Sequence, residues 1–397
     1  MTSGPSPLAR LVDIWRQPVT PELRALLDAR WQELPERLRV SHQTLGRQLV
    51  HCGYTLGPSY CSFGCTHCYL PANANRVPLP TLDEMKEQID ANRRLMGATG
   101  GLQITGGDVV DAYWRAGRVD ELVAIVRHAI DAEVAPMIMT HGQVLLDHPE
   151  VLDRLVREGG LRKLAIHIDI TQAGRPDFPI RSLSHEADLH PLREAFVDLI
   201  VGCQERTRTR FYAAHTVTVS ERNLDSIAEI PRWLLAEPRR LDAFRMVSFQ
   251  TEAAVGRTRF SARPVTPEAT WEAICSGVGL SLDRDNLLVG HPECSNMTTL
   301  MALYPERRVV DLMPGDAASR DFAGEFLATF QRLGTRGRSR PLRLLASIAR
   351  NPRFVASAWR YARYRLRREG LGVVGLGWRL ARGRGRFLNI VLHNFMD

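Results

Sequence analysis

The residues best placed to do chemistry in this chain are three cysteines, in the run Cys61-Ser62-Phe63-Gly64-Cys65-Thr66-His67-Cys68-Tyr69. Three residues separate the first pair and two the second. Thiolates spaced this closely on one loop suit a soft metal, and four of them normally hold an iron–sulfur cube. Three leave one iron without a protein ligand, the open position a catalytic centre needs. Gly64 is expected to let the backbone fold tightly around the sulfurs. A partial zinc site is the competing reading, but no fourth ligand is evident nearby. The chain has seven cysteines. An odd number, with no basic-then-apolar leader visible at the start, argues against a disulfide framework and points to the cytoplasm. Cys52 and Cys203 read as small buried hydrophobes.

The loop needs elements to hold it. From residue 49 the sequence alternates short apolar runs with amphipathic helical stretches. Strands are expected at 49–56, 101–105, 136–140, 164–170, 211–219 and 244–250, with helices at 81–95, 120–132, 149–158, 192–204 and 224–235 between them. Such alternation calls for parallel strands joined by right-handed crossovers. The polar signals fall at the carboxyl ends of these strands: the cysteine loop, Gly106-Gly107-Asp108 after Thr105, Thr140-His141-Gly142, His167 with Asp169, and Gln250-Thr251. Parallel α/β barrels carry their active sites on that rim. His167 alone could be a satisfied core histidine.

The cysteine spacing, with Gly-Gly-Asp, Thr-His-Gly and His167-Ile168-Asp169 following in order, resembles the radical S-adenosylmethionine (SAM) superfamily over roughly residues 49–255. The departures from that pattern are Asp108 for Glu, His141 for Asn and His167 for Ser, with His67 at a usually aromatic position. The resemblance implies an α/β fold, a partial (β/α)6 barrel with a helical leader (1–48), the barrel core (49–255), an extension (256–330) and an α-rich basic tail (331–397). It implies that Cys61, Cys65 and Cys68 ligate a [4Fe–4S] cluster and that SAM binds its free iron. Gly106 and Gly107 would meet the methionyl amino end with help from Asp108. Thr140, His167 and Asp169 would lie near the ribose, with His67, Thr105 and His141 among the other cofactor contacts. A flavodoxin- or ferredoxin-like donor would supply the electron.

Two regions fall outside that pattern. In the loop Gly290-His291-Pro292-Glu293-Cys294, His291 and Cys294 could share a metal, Cys294 could donate hydrogen to a substrate, or the loop could be structural. Between Arg332 and Arg386 the chain has sixteen Arg and one acid, Glu369, about +15 of charge in a chain whose formal net charge is +8. The remainder is therefore net acidic. Arginines interleave with Phe354, Trp359, Tyr361, Tyr364 and Trp378. Such a surface suits anionic lipid headgroups, or packing on the protein's own acidic body; no nucleic-acid module is evident. Helices are expected at 266–276, 341–350, 352–368 and 373–383, with a short strand around Val309-Val310 and a strand and turn from Phe387. The last residues, His393 to Asp397, resemble a His-x-Phe-Met-Asp stretch of radical SAM proteins related to the tetraether lipid synthases. In those relatives further cysteines follow, so this resemblance implies a truncated or abbreviated end and an amphiphilic substrate. Methylation or epimerisation of a peptide or natural-product intermediate, and a non-catalytic iron–sulfur sensor or nucleic-acid-binding protein, are the other readings.

Overall fold

The computed structural model describes residues 52–96, 101–258, 264–284, 287–288, 295–330 and 351–393, with isolated positions at 25, 29, 345–346 and 348–349. The expected leader, the His291–Cys294 loop, most of the 341–350 helix and the last four residues thus lie outside the described residues.

Six strands run in chain order: β1 (Cys52–Leu56), β2 (Gly101–Thr105), β3 (Ala135–Thr140), β4 (Lys163–His167), β5 (Tyr212–Val219) and β6 (Phe244–Thr251). Each pairs in parallel with the next, and the order never reverses. A sheet extended in one direction by crossovers of one hand keeps all its helices on one face, as in a barrel wall. The burial pattern agrees. Leu102, Ile104, Ile138, Leu164, Ile166, Val217, Val247 and Phe249 are fully buried on the helix-covered face. The sheet is thus a partial (β/α)6 barrel wall of the expected class.

Local sequence explains most element ends. The helix Leu82–Met96 opens on Thr81, whose hydroxyl accepts the Glu84 N–H at 3.2 Å while the Glu84 carboxylate accepts the Thr81 N–H at 2.7 Å. This reciprocal cap is worth about 1 kcal/mol. β4 stops at His167, short of the expected residue 170, because the Asp169 carboxylate accepts the Thr171 N–H at 2.8 Å and turns the chain. The expected helix over 224–235 is broken into a short 3-10 turn, Leu224–Ser226, and the helix Glu229–Ala236. Pro231 has no N–H to donate, and restarting at Glu229 puts it in the first turn, where none is needed.

The C-terminal part keeps its expected helices at Pro267–Val278, Arg353–Arg368 and Val373–Ala381 and has one that was not expected at Ala317–Phe330. It also carries four strands: β7 (Leu287–Leu288), β8 (Ser295–Leu303), β9 (Arg308–Asp311) and β10 (Gly385–His393), of which β9 and β10 answer to the strands expected around Val309-Val310 and from Phe387. β10 comes after the basic helices yet lies beside β6 and parallel to it, with Ile390 opposite Val247 and His393 opposite Gln250. β8 then pairs antiparallel with β10, and both β7 and β9 pair with β8. The chain end therefore supplies the seventh parallel strand of the wall. Leu388, Ile390 and Leu392 alternate into the core, which is why an apolar run follows an arginine-rich one.

Candidate metal and cofactor site

The cysteine loop is held by backbone from both sides. Upstream, Gly57 N–H donates to Thr105 O at 2.5 Å, Gly107 N–H to Pro58 O at 2.7 Å and Asp108 N–H to Tyr60 O at 2.8 Å. A Cβ on Gly107 would stand 2.0 Å from Tyr60 O, so only glycine fits. Downstream, Gly64 N–H donates to Ala173 O at 2.7 Å and Thr66 N–H to Thr171 O at 3.1 Å, which lays the loop along the segment after β4. The Asn75 side chain accepts from Cys61 N–H at 3.1 Å and donates to Cys61 O at 2.9 Å.

Gly64 does not have the expected role. Its φ is outside the left-handed region and an added Cβ would meet nothing within 4 Å. The glycines the loop needs lie elsewhere. Gly174 (φ +141°) would put a Cβ 2.5 Å from the Phe63 ring, and Gly256 (φ +62°) one 2.1 Å from Tyr69 O. Each is followed by an arginine aimed at the site. Arg175 is buried, 4% exposed, and its Nη2 donates to His141 O at 2.8 Å and His167 O at 2.9 Å, tying β3 to β4. Burial lowers its pKa to about 10, which leaves it charged at neutral pH. Arg257 donates from Nη2 to the Cys68 sulfur at 3.2 Å and from its backbone N–H to Cys68 O at 2.7 Å.

The three thiols are free and partly buried. Burial, then the Asp108 carboxylate, pushes Cys61 up to about 12. Burial and Asp169 push Cys65 up as well, and all three sulfurs lie close enough to feel one another. Among the described residues no three His, Cys, Asp or Glu side chains converge as ligands of one metal ion.

Beside the loop stands a carboxylate network. Asp108 caps the helix Val109–Arg115, its Oδ1 accepting Asp111 N–H at 2.8 Å. Both of its oxygens accept the Thr140 hydroxyl, at 3.0 and 2.8 Å, and Oδ2 accepts His141 N–H at 2.5 Å. Its lone pairs are thus taken by the protein's own donors. Asp111, which sequence reasoning missed, accepts Ser62 N–H at 3.0 Å and Arg115 Nε at 2.8 Å. Burial would raise its pKa, but the nearby His141 ring and the bonds from Ser62 and Arg115 hold it well below the usual carboxylate range. The His141 ring stacks on Phe63 at 3.7 Å, its Nε2 3.3 Å from Asp108 with no hydrogen-bond partner. His67 Nδ1 lies 2.7 Å from Glu252 of the segment after β6, without hydrogen-bond alignment.

His167 and Asp169 meet at 2.6 Å, and Thr218 joins both, its hydroxyl 3.1 Å from His167 Nε2 and its N–H donating to Asp169 at 2.8 Å. Burial acts to raise Asp169, but the His167 charge and these bonds hold it well below the usual range. His167 is one-third exposed at the rim and is no sealed core histidine, whereas Cys203 is fully buried as expected. The rim therefore carries Cys61, Cys65, Cys68, Thr105, Asp108, Thr140, His141, His167 and Asp169 on the ends of β1 to β4 and the loops that follow.

Residues 58–176, which hold all of these groups, match the family model of the radical SAM superfamily. This stretch is a radical SAM domain. No curated protein matches the chain. Among solved structures, the chain is similar to "Crystal structure of HydG: A maturase of the [FeFe]-hydrogenase", at 10% identity and TM-score 0.39, with 69% of this chain and 62% of that chain covered.

Members of the radical SAM superfamily are enzymes that use a [4Fe–4S] cluster and SAM. The site fits such a cluster: three free thiols on one anchored loop, and a guanidinium already aimed at one of them. Thiolates on different irons of a cube need not converge on one point, which agrees with the absence of a single-ion cage among the described residues. Glu252, Asn75, Asp111, Arg175 and Arg257 carry no motif. Each of the two arginines follows a glycine, but Gly-Arg occurs seven times in the chain, so that pair does not single them out.

Proposed function

We propose that this chain is a radical SAM enzyme that cleaves SAM reductively and removes a hydrogen atom from an amphiphilic substrate. The observation that carries the chemistry is the anchored three-cysteine loop with Arg257 on Cys68. Cys61, Cys65 and Cys68 would hold the cluster, which would supply the one electron that reductive cleavage of SAM requires. The protein's own part is to bind, orient and exclude water. Asn75, Ala173 and Thr171 fix the loop by hydrogen bonds to its backbone. Arg257 offers hydrogen bonding and positive charge to a thiolate ligand. Asp108, committed to Thr140, His141 and Asp111, sets the positions of its neighbours. The partly exposed edge of the His167 ring is the group placed to meet a nucleoside or substrate. A flavodoxin- or ferredoxin-like donor supplies the electron.

What supports an amphiphilic substrate is indirect: the basic, aromatic surface of the C-terminal helices suits attachment to a lipid surface, where such molecules are found, and not delivery into the site. A second reading, a polar peptide or natural-product intermediate undergoing methylation or epimerisation, has its own support. The wall face opposite the helix-covered one bears Thr216, Thr218, Ser248, Gln250, Asn389, Thr299, Ser295 and His393 in register across β5, β6, β10 and β8. The Thr216 and Ser248 hydroxyls are buried without hydrogen-bond partners, as hydroxyls awaiting a polar ligand would be.

The deciding experiment is anaerobic reconstitution followed by incubation with SAM and dithionite. The expected product is 5′-deoxyadenosine, abolished by Cys61→Ala, Cys65→Ala or Cys68→Ala. A fully loaded cluster that yields none sinks the enzyme reading and leaves the non-catalytic sensor.

A further inference from the structure

The helix Val373–Ala381 has no buried residue. Its sequence, Val-Val-Gly-Leu-Gly-Trp-Arg-Leu-Ala, is apolar apart from Arg379. Leu376, with Leu371 before the helix, packs on Met301, Leu303 and Val310. Helix geometry then puts Val374 and Trp378, one turn apart, on the far side from Leu376. Val374 is 85% exposed and Trp378 50%. The Trp378 indole is flanked by two guanidinium groups, Arg382 at 3.6 Å and Arg384 at 5.6 Å from the ring centre.

The preceding helix, Arg353–Arg368, divides the same way. One face is committed to the protein: Phe322 stacks on Tyr361 at 4.5 Å, Tyr361 OH donates to Leu312 O, Arg365 pairs with Glu369 and Arg368 with Asp316. The bland expectation, packing on the acidic body, holds for this face. The opposite face presents Val355, Trp359 and Arg363 at one-turn spacing, with Trp359 55% exposed. Arg353, Arg360, Arg363 and Arg367 form no ion pair with any acid among the described residues, and Glu369 is the segment's one acidic residue.

We propose that these two outward faces form a docking surface for an anionic lipid bilayer. The occupant follows from the chemistry. Exposed Trp and Val on a helix without carboxylates suit the headgroup–acyl boundary, and unpaired arginines beside a Trp suit lipid phosphates. A soluble acidic partner would satisfy the arginines and leave Val374 in water. No helix among the described residues is long and apolar enough to cross a membrane, so the attachment is peripheral. The surface is fixed to the core: Tyr304 N–H donates to Arg384 O, and β10 begins at Gly385 beside β6. It joins the wall at the amino end of β10, on the opposite rim from the cysteine loop. The surface is thus an attachment site and no funnel into the cysteine loop. The proposal is independent of the radical chemistry.

The test is flotation of the full chain with vesicles of phosphatidylcholine alone and of phosphatidylcholine with 30% phosphatidylglycerol as the probes. The full chain should float with the anionic vesicles only and be released by 0.5 M salt. Val374→Glu with Trp378→Glu, and separately Arg382→Gln with Arg384→Gln, should each lower the bound fraction by about tenfold. Unchanged circular dichroism shows that the variants fold, and 5′-deoxyadenosine formation without vesicles shows that docking alone was lost. Equal flotation of wild type and both variants overturns the proposal. So does self-association, or RNA binding, that Val374→Glu with Trp378→Glu abolishes while wild type does not float.

Discussion

Arg257 donates to the Cys68 sulfur at 3.2 Å from a loop 189 residues further along the chain. Gly256 lets that loop press against Tyr69 O, where any side chain would collide. The loop after β6 and the cysteine loop after β1 are thereby locked together. A hydrogen bond and a positive charge at a cluster thiolate favour the reduced, more negative state. Arg257→Gln should shift the cluster midpoint to more negative potential by on the order of tens of millivolts, read by titration followed by electron paramagnetic resonance. An unchanged potential with lower iron content would make Arg257 a loop anchor only.

The thiols predict a pH dependence in the metal-free chain. Cys61 is pushed up to about 12 from an ordinary 9.0, and Cys65 is raised further, chiefly by burial. Above pH 9 the unfolded chain loses these protons while the folded chain keeps them. Stability must therefore fall as pH rises from 9 towards 12, by at most about 1.4 kcal/mol per pH unit for each thiol. Urea unfolding of the metal-free chain at pH 8, 9 and 10 reads this slope, which Cys61→Ala with Cys65→Ala should remove. Iron uptake has the opposite sign: ligation releases the protons, so loading improves with pH.

Asp108 separates a structural role from a cofactor contact. Its carboxylate accepts from Asp111 N–H, Thr140 Oγ1 and His141 N–H and makes no outward bond. Asp108→Asn would turn one acceptor into a donor facing donors, at a cost of about 1–3 kcal/mol. Denaturant titration should show that loss in the metal-free chain. A variant of full stability and weakened SAM affinity would restore the contact that the resemblance implies.

The cysteines, Gly-Gly-Asp and Thr-His-Gly were legible because short-range spacing and strand ends constrain them together. The β order was legible because each helix sends the chain to the next parallel strand. Arg175, Arg257, Asp111 and Asn75 were not, because each is an ordinary residue in its own neighbourhood and the contacts that matter are distant: Asn75, Asp111 and Arg257 reach the cysteine loop across 14, 49 and 189 residues, and Arg175 reaches His141 across 34. β10 was legible as a strand from Phe387, but its place was not, since it follows a run of arginines at the end of the basic helices. Only its pairing with β6 and β8 makes it part of the wall. Gly64 misled for the opposite reason: it lies inside the motif, while the steric need falls on Gly174 and Gly256, which lie outside it.

Glu186 and Arg193 form an ion pair with both side chains fully buried. Glu186 also accepts Asn223 Nδ2 at 2.7 Å and Ile170 N–H at 3.2 Å, and Arg193 Nε donates to the buried His215 at 3.0 Å. Ile170 follows Asp169 directly, so the pair braces the turn that aims Asp169 at His167. Arg193→Met leaves a buried carboxylate without its cation and should cost about 3–5 kcal/mol. Glu186→Gln with Arg193→Met leaves no buried charge and should recover most of that loss, as removal of both partners of a buried pair commonly does. Burial and Arg193 together hold His215 neutral, its pKa well below the usual value. The Arg193→Met background should therefore raise the His215 pKa, which proton NMR of the imidazole reads directly. A double variant no more stable than Arg193→Met, with His215 unmoved, would show that the pair acts through packing alone.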